Sequence, residues 1–397
     1  MSGEPGTPAP RRTLPLLMAA MAFALPHEIT IAPLLPNIAT ELDHSVGAIG
    51  QLGTAAHLGG LVAALGLAPV IGQLPLRALL AAALACLAAA SVLSGLLSAF
   101  LALLVVRFLA GMAGGLIAAS VLTGVGRAWT DQALRATHTG YVLGAVAIAI
   151  GVLAPLLRLL GSMTTWRLAP IVFGVGAGLV ALLIGLAAPP LPGVPGAVAY
   201  RARLAAAVQA TTLPLVRSVL GLRLVAQAVF GLAVGFVAAF FVHLYPGQEA
   251  WIAPLFFVLP LGMSVAAIGG GRLLAGLSAG RPLLVATVVA AASLLVFTWL
   301  RSAPVVTAAA FCLYGVAFGF LATGVPPLLY EQSGRQRDSV LFLSVSLRPA
   351  GSMLGTALGG AAIIIGPGYL GWQVLLTVML AVLVGAGVAV FRGAAPT

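Results

Sequence analysis

Apolar residues run along this chain in stretches longer than a soluble core helix needs. Leu224 to Leu244 and Pro282 to Leu300 hold no Asp, Glu or Arg. About 18–20 such residues, wound as a helix, cover the hydrocarbon of a bilayer. Barrel strands would instead alternate apolar and polar positions over about ten residues. The pattern predicts helices over 14–36, 46–71, 78–97, 100–122, 139–158, 167–188, 220–244, 251–271, 282–300, 303–325, 339–365 and 370–391. The third and fourth share one uncharged run. It is divided at "SGLLSAF" because a single helix there would exceed the bilayer. The expected fold is all-α integral membrane, with twelve transmembrane helices in two pseudo-symmetric six-helix bundles. The segment "PPLPGVPG" cannot be helix interior. It places a linker at 189–219 between bundles at 14–188 and 220–391, with tails at 1–13 and 392–397.

Composition agrees with this reading. The 397 residues are 61% hydrophobic and 7% charged, against about 25% charged in a soluble domain. The net charge of +11 does not indicate a nucleic-acid partner, because the arginines are spread singly and phosphate tracking needs a clustered patch. Arg11-Arg12 precede an apolar stretch, as in a signal peptide, but that stretch continues past signal length to Pro36.

The arginines also give an orientation. With the N-terminus in the cytoplasm, Arg11, Arg12, Arg77, Arg127, Arg135, Arg201, Arg203, Arg217, Arg272, Arg281, Arg335, Arg337 and Arg392 fall inside, and Arg158, Arg167 and Arg301 fall outside. That asymmetry follows the positive-inside rule and puts both termini in the cytoplasm. Trp166, Trp251, Trp299 and Trp372 fall near outer helix ends, where indole favours the interface.

The halves match at an offset of about 204 residues. Arg77 pairs with Arg281, Gly72 with Gly276, Gly111 with Gly315, Gly115 with Gly319, and Gly151 with Gly355. Parallel six-helix halves with a site between them near the midplane are a transporter architecture.

Several segments resemble the major facilitator superfamily. "PLLPNIATEL" (Pro33–Leu42) looks like the end of the first helix in the twelve-span drug:proton antiporters. "RFLAGMAGG" (Arg107–Gly115) is similar to the fourth-helix Arg-x-x-x-Gly motif, and "WRLAPIVFG" looks like the start of the sixth helix. "GVLAPLL" (Gly151–Leu157) resembles the antiporter Gly-Pro motif, with Ala154 where a glycine is usual. The loop "GQLPLRALL" keeps Gly72, Leu74 and Arg77 of the family's Gly-x-Leu-x-Asp-Arg pattern but has Leu76 at the aspartate. The matching loop "GLSAGRP" lacks it too. The resemblance implies gating by Gly72, Arg77, Gly276 and Arg281, and an interior role in proton binding for Arg107. The missing aspartates depart from the usual gate.

Intramembrane charges are costly and default to functional candidates. Glu28 is the sole acidic residue within a predicted span. In a low-dielectric site its pKa would rise, suiting it to carry a proton. A cation competing with that proton would give antiport; a permanent pair with an arginine or His57 would make it helix glue instead. His27 points about 100° away around the helix, toward the cavity edge or a helix contact. His57, near the midplane, is a second proton carrier or a packing residue. Arg348 precedes Pro349 and is a substrate or gating candidate, or else satisfies the backbone carbonyl that the proline frees; Gln227 is a polar lining candidate. Gly111-x-x-x-Gly115 permits close helix approach, and Pro155 prevents ideal helix in the fifth span.

Cys86 and Cys312 lie in apolar runs and indicate neither disulfide nor metal. No phosphate loop and no His/Cys cluster is present, so no cofactor, metal or catalytic residue is expected. The reading is a non-enzymatic secondary transporter of the bacterial cytoplasmic membrane, in contact with lipid, monomeric, exporting a small organic or amphipathic solute against protons. Two alternatives stand: a proton-linked organic anion or carboxylate carrier of the same fold, and a transporter-like sensor or assembly partner that moves nothing.

Overall fold

The computed structural model describes residues 12–25, 31–67, 74–129, 131–189, 205–206, 208–274, 280–300, 303–333 and 337–394. Among them there is no strand. Helix α1 (Thr13–Ala24) is followed by a 3-10 turn (Ala32–Leu34) and α2 (Leu35–Glu41). Next come α3 (Val46–Val62, continued by a π turn to Leu67), α4 (Leu76–Leu96), α5 (Phe100–Ala128), α6 (Gln132–Met163) and α7 (Leu168–Ala187). The second half holds α8 (Pro214–Leu244), α9 (Ile252–Leu274), α10 (Gly280–Trp299), α11 (Pro304–Gln332), α12 (Arg337–Ile365) and α13 (Leu370–Gly393). Eleven described helices are long and apolar enough to cross a membrane; α1 is shorter. With α1 and α2 as two pieces of one crossing, the chain forms the expected twelve-span fold.

Local signals set the helix ends. Ser45 caps α3 by accepting from the Ala48 N–H at 3.1 Å. Asp131 caps α6 through the Leu134 N–H at 2.8 Å. Such caps satisfy amides that have no intrahelical partner. Proline at the first position starts α8 and α11, where its missing N–H costs nothing. The break between α4 and α5 falls at residues 97–99, inside "SGLLSAF".

Two expectations fail. The first predicted helix is not continuous over 14–36: α1 stops at Ala24 and helix resumes as a 3-10 turn at Ala32 with Pro33 in it. Proline cannot donate to the preceding turn, so it begins a new helical piece. The tryptophan belt is also incomplete. Trp372 is 0% exposed, its indole N–H donating to the Leu232 carbonyl at 3.1 Å, and Trp166 is 3% exposed. These two rings fill the bundles. Trp299, 47% exposed, fits the interfacial expectation better.

Glycines pack each bundle, and the packing repeats. A Cβ on Gly111 (α5) would lie 1.8 Å from the Ala56 carbonyl oxygen of α3; one on Gly315 (α11) would lie 2.4 Å from the Leu259 carbonyl oxygen of α9. Gly115 faces Ala63 and Gly60, as Gly319 faces Ala266 and Met263. The α3–α5 contact therefore recurs as α9–α11, with the glycines offset by 204 residues as in the sequence repeat and their partners by 203.

The bundles have two distinguishable ends. At the terminal face, where α1 begins and α13 ends, Leu17 and Leu76 meet Gly124, and Phe391 meets Gly280. At the opposite, far face, Arg167 bonds Glu41, Ser98 and the Gly95 and Leu97 carbonyls. Arg77, at the terminal face, donates to the Gly185 carbonyl of α7, within its own bundle, and Arg281 is exposed at the start of α10.

Candidate functional site

The two bundles meet along α3–α12 and α6–α9, and where α8 crosses the 3-10 turn and α2. The α3–α12 seam starts at the far face. A Cβ on Gly47 would lie 2.4 Å from the Gly360 carbonyl oxygen. One turn deeper, the Gln51 side-chain amide donates to the Ala357 carbonyl at 3.4 Å. The Thr54 and Thr356 hydroxyls bond at 3.0 Å. Gly60 then faces the Pro349 ring. From Gly47 to Gly60 is about 20 Å of helix. On the other seam Gly151 faces Pro260. Helix α6 runs unbroken through Pro155, although that proline cannot bond the Gly151 carbonyl four residues back. Phe236 of α8, 0% exposed, wedges between Gly50 of α3 and Gly359 of α12. Any side chain on either glycine would collide with its ring.

Below Phe236 the bundles leave a cavity of about 40 Å³. Its polar wall comes from His57 (α3), Arg107 (α5) and Thr356 (α12); Ile31 and Leu35 close one side, and Phe230 and Val234 of α8 the other. Arg107 is 1% exposed and His57 8%. A cavity this small holds a few waters, not a drug-sized molecule of several hundred cubic ångströms. The chemistry available is a fixed guanidinium charge, a titratable imidazole and a hydroxyl, all at the junction of the two bundles.

The structure thus brings His57 and Arg107 together. Gln227 lies elsewhere, 3% exposed, with its side-chain oxygen accepting from the Ser352 hydroxyl at 3.3 Å across α8–α12. That hydrogen bond makes it a helix-to-helix contact more than a lining group. Gly111 and Gly115 pack helices within the first bundle. His27, Glu28, Gly72 and Gly276 lie outside the described residues.

Sequence reasoning missed Arg223. It began the seventh span at 220, which left Arg223 in the first turn at the interface. Helix α8 begins at Pro214, so Arg223 lies about 13 Å along it. Pro214 following Leu213 was the available signal, since proline favours the first helical position. Arg348 of α12 acts electrostatically on Arg223 of α8.

Polar side chains also line clefts on the far face. One, of about 350 Å³, includes Asn37, Glu41, Arg158 and Glu249. Arg158 donates to the Asn37 side-chain oxygen at 2.5 Å and feels the Glu249 charge from the other bundle. The other, of about 530 Å³, includes His44, His243 and Tyr369. Burial pushes the Tyr369 phenol above its usual range, so it stays a neutral hydrogen-bonding group. Among the described residues no cluster of three His, Cys, Asp or Glu could hold a metal.

The profile of the Major Facilitator Superfamily matches residues 16–356, most of the chain. The protein belongs to the Major Facilitator Superfamily. This facilitator is similar to solved transporters by fold, at low identity. It superposes on a variant of the nucleoside transporter NupG with TM-score 0.77 at 14% identity, covering 96% of this chain and 100% of that one. It also matches a bacterial homologue of the human lysosomal transporter Spinster in an inward-facing, unoccupied conformation. There the TM-score is 0.69 at 16% identity, covering 96% and 94% of the two chains. An inward-facing, occupied form of that homologue gives 0.65 at 16% identity, covering 98% and 96%. No functionally curated protein matches the sequence. Membership in this family, with eleven described helices able to cross a membrane, makes the chain an integral membrane transporter and not an enzyme.

Proposed function

We propose that this facilitator exports a small organic or amphipathic solute against inward proton flow, by alternating access, as a monomer in a bacterial cytoplasmic membrane with both termini inside. The observation that carries the reading is the seam: cross-bundle packing from Gly47–Gly360 to Gly60–Pro349 closes the far face, with a polar cavity beneath it. The likeness to an inward-facing Spinster homologue supports assigning the terminal face as the open, cytoplasmic one. Solute enters there and leaves once the α3–α12 and α6–α9 seams part.

Glu28 is the proposed proton carrier. It stands three residues before Ile31, which lines the cavity. A carboxyl group there exchanges a proton for a cation, and the fixed charge of Arg107 sets how readily it ionises. His57 supplies a second titratable group. The far-face glycines and Phe236 hold the far face closed, and the loops without aspartates lie at the opposite, terminal face.

The test is transport in proteoliposomes under an imposed proton gradient, with a panel of labelled organic solutes. Wild type should move at least one solute and dissipate the gradient as it does so. Glu28→Gln should lose both. Wild-type proton-driven transport by Glu28→Gln would discard the assignment of Glu28.

A second reading keeps the fold and changes the solute to an organic anion. The three interior arginines, Arg107, Arg223 and Arg348, favour it.

A further inference from the structure

The far-face cleft of about 530 Å³ is large enough for a whole small solute, whereas the central cavity of about 40 Å³ holds only a few waters. Both bundles build its walls. The first contributes Thr40 near the end of α2, and Asp43 and His44 from the turn before α3. The second contributes His243 from the last turn of α8, and Tyr369 just before α13.

Local contacts fix what these side chains can offer a ligand. The Thr40 hydroxyl donates to the Pro36 carbonyl at 3.0 Å, so its oxygen keeps its role as an acceptor. His44 Nδ1 lies 2.9 Å from the Asp43 carbonyl oxygen. A carbonyl only accepts, so Nδ1 carries the proton, and Nε2 of the neutral ring is an acceptor. The same imidazole packs edge-on against Phe100, with ring centres 5.0 Å apart. Asp43 adds a carboxylate, which when ionised only accepts. On the second bundle, the half-buried Tyr369 ring is backed by Phe240 at 5.6 Å and Trp372 at 6.4 Å, and its centre lies 4.9 Å from that of His243.

One wall of the cleft thus carries acceptors and a negative charge, and the other carries positioned aromatic rings. An organic ammonium suits both. Its N–H donates to the acceptors, and its charge is attracted by the carboxylate and by the ring quadrupole. The adjoining cleft, which shares Thr40 and Val242, holds the carboxylates of Glu41 and Glu249. Glu41 is paired with Arg167, and the charge of Glu249 acts on Arg158. Those two carboxylates are already engaged with guanidinium groups, which singles out Asp43 as the counter-charge for a ligand.

We propose that this far-face cleft binds a protonated organic amine, with the ammonium between Asp43 and the Tyr369 ring. This rests on the proposed export of a cation and names its class: an amine leaving through the far face passes this cleft last.

The test reads binding at the cleft itself, without a gradient, so that it stands apart from transport. Thr40 is exposed. Full-length protein carrying Cys86→Ser, Cys312→Ser and Thr40→Cys is placed in phosphatidylcholine nanodiscs, and alkylation of the new thiol by N-ethylmaleimide is followed. Dimethylphenethylammonium should slow alkylation saturably; uncharged phenylethanol and anionic phenylacetate should not at the same concentration. Asp43→Asn should raise the half-protecting concentration by about tenfold or more. Asparagine suits the backbone there, since φ at Asp43 is 52°, a region that Asn also adopts. Tyr369→Leu should raise that concentration by about threefold or more, and Tyr369→Phe, which keeps the ring face, should leave it near wild type. If Tyr369→Leu fails to fold, Asp43→Asn and the preference for cation over alcohol decide the matter. No protection by the cation, equal protection by phenylethanol or phenylacetate, or unchanged protection in Asp43→Asn would overturn the site. Protection that Glu28→Gln abolishes and Asp43→Asn preserves would also overturn it, assigning the effect to a cation bound at Glu28. Asp43-dependent protection without proton-driven transport of any panel solute would sink the transport reading and leave the site standing. Proton-driven transport unaffected by Asp43→Asn, with no protection by the cation, would do the reverse.

Discussion

Gly47 and Gly360 meet backbone to backbone across the two bundles, close enough that a Cβ on Gly360 would lie 2.5 Å from the Gly47 carbonyl oxygen. Nothing larger than hydrogen fits at that point. Replacing Gly360 by valine should pry the far-face seam apart while leaving each bundle intact. Overpacking of this kind costs about 1–3 kcal/mol, equivalent to a population shift of about 5- to 150-fold. Labelling of a cysteine placed at Gly53 from the far side should rise accordingly, with the unfolding midpoint little changed. Unaltered labelling would mean that the seam does not depend on this contact.

Gly111 and Gly315 pack within their own bundles, so they should behave differently. Gly111→Ala must push its methyl into the Ala56 carbonyl, and Gly315→Ala into that of Leu259. Each should lower stability by about 1–3 kcal/mol, read as a lower unfolding midpoint. Neither should change the balance between the two faces. A shift in face accessibility without loss of stability would contradict the repeat-based assignment of these glycines to static packing.

Arg167 and Glu41 form an ion pair at 2.7 Å on the far face, with Glu41 42% exposed. An exposed pair contributes less than about 1 kcal/mol, so Glu41→Gln should barely move the unfolding midpoint. Arg167 also bonds the Gly95 and Leu97 carbonyls and the Ser98 hydroxyl. Arg167→Ala should therefore destabilise by about 1–3 kcal/mol. The opposite order of midpoints would show that the ion pair, not the backbone bonding, holds this end of the bundle.

Arg107 and His57 share the central cavity but should not be equivalent. Arg107→Gln removes a permanent charge, and charge-assisted interactions of about 1.5–3 kcal/mol go with it. Proton-driven transport should fall by about tenfold or more, with the protein still folded. His57→Gln, which keeps a polar group at a site bordered by Thr356, should cost less. Equal and complete losses would make His57 an obligatory proton carrier.

Much of the fold was legible because the bilayer imposes long apolar runs and the duplication imposes an offset. The "SGLLSAF" break and the glycine pairs 111/315 and 115/319 could be read from the sequence and are found in the packing. The first crossing was not legible as two pieces, since an apolar run looks the same whether Pro33 starts a helical segment or sits within one. The site was only partly visible. His57 and Arg107 converge because α3 and α5 approach through Gly111, a contact that the Gly-x-x-x-Gly spacing hints at. Arg223 was hidden by a boundary six residues too late, and Arg348, whose charge acts on it, comes from a helix about 125 residues away in sequence. The far-face wedge of Phe236 between Gly50 and Gly359 has no linear signature, because phenylalanine in an apolar helix is unremarkable until its neighbours are known.

Alternating access about the far-face seam is tested most directly by paired distances on the two faces. Spin labels at Thr40 and Gln248 report the far face, and labels at Ala78 and Leu213 the terminal face, in full-length protein with Cys86 and Cys312 replaced. On adding a transported solute or changing pH, the first distance should lengthen while the second shortens, in the same population of molecules. Distances that stay fixed on both faces, or that lengthen together, would contradict the account.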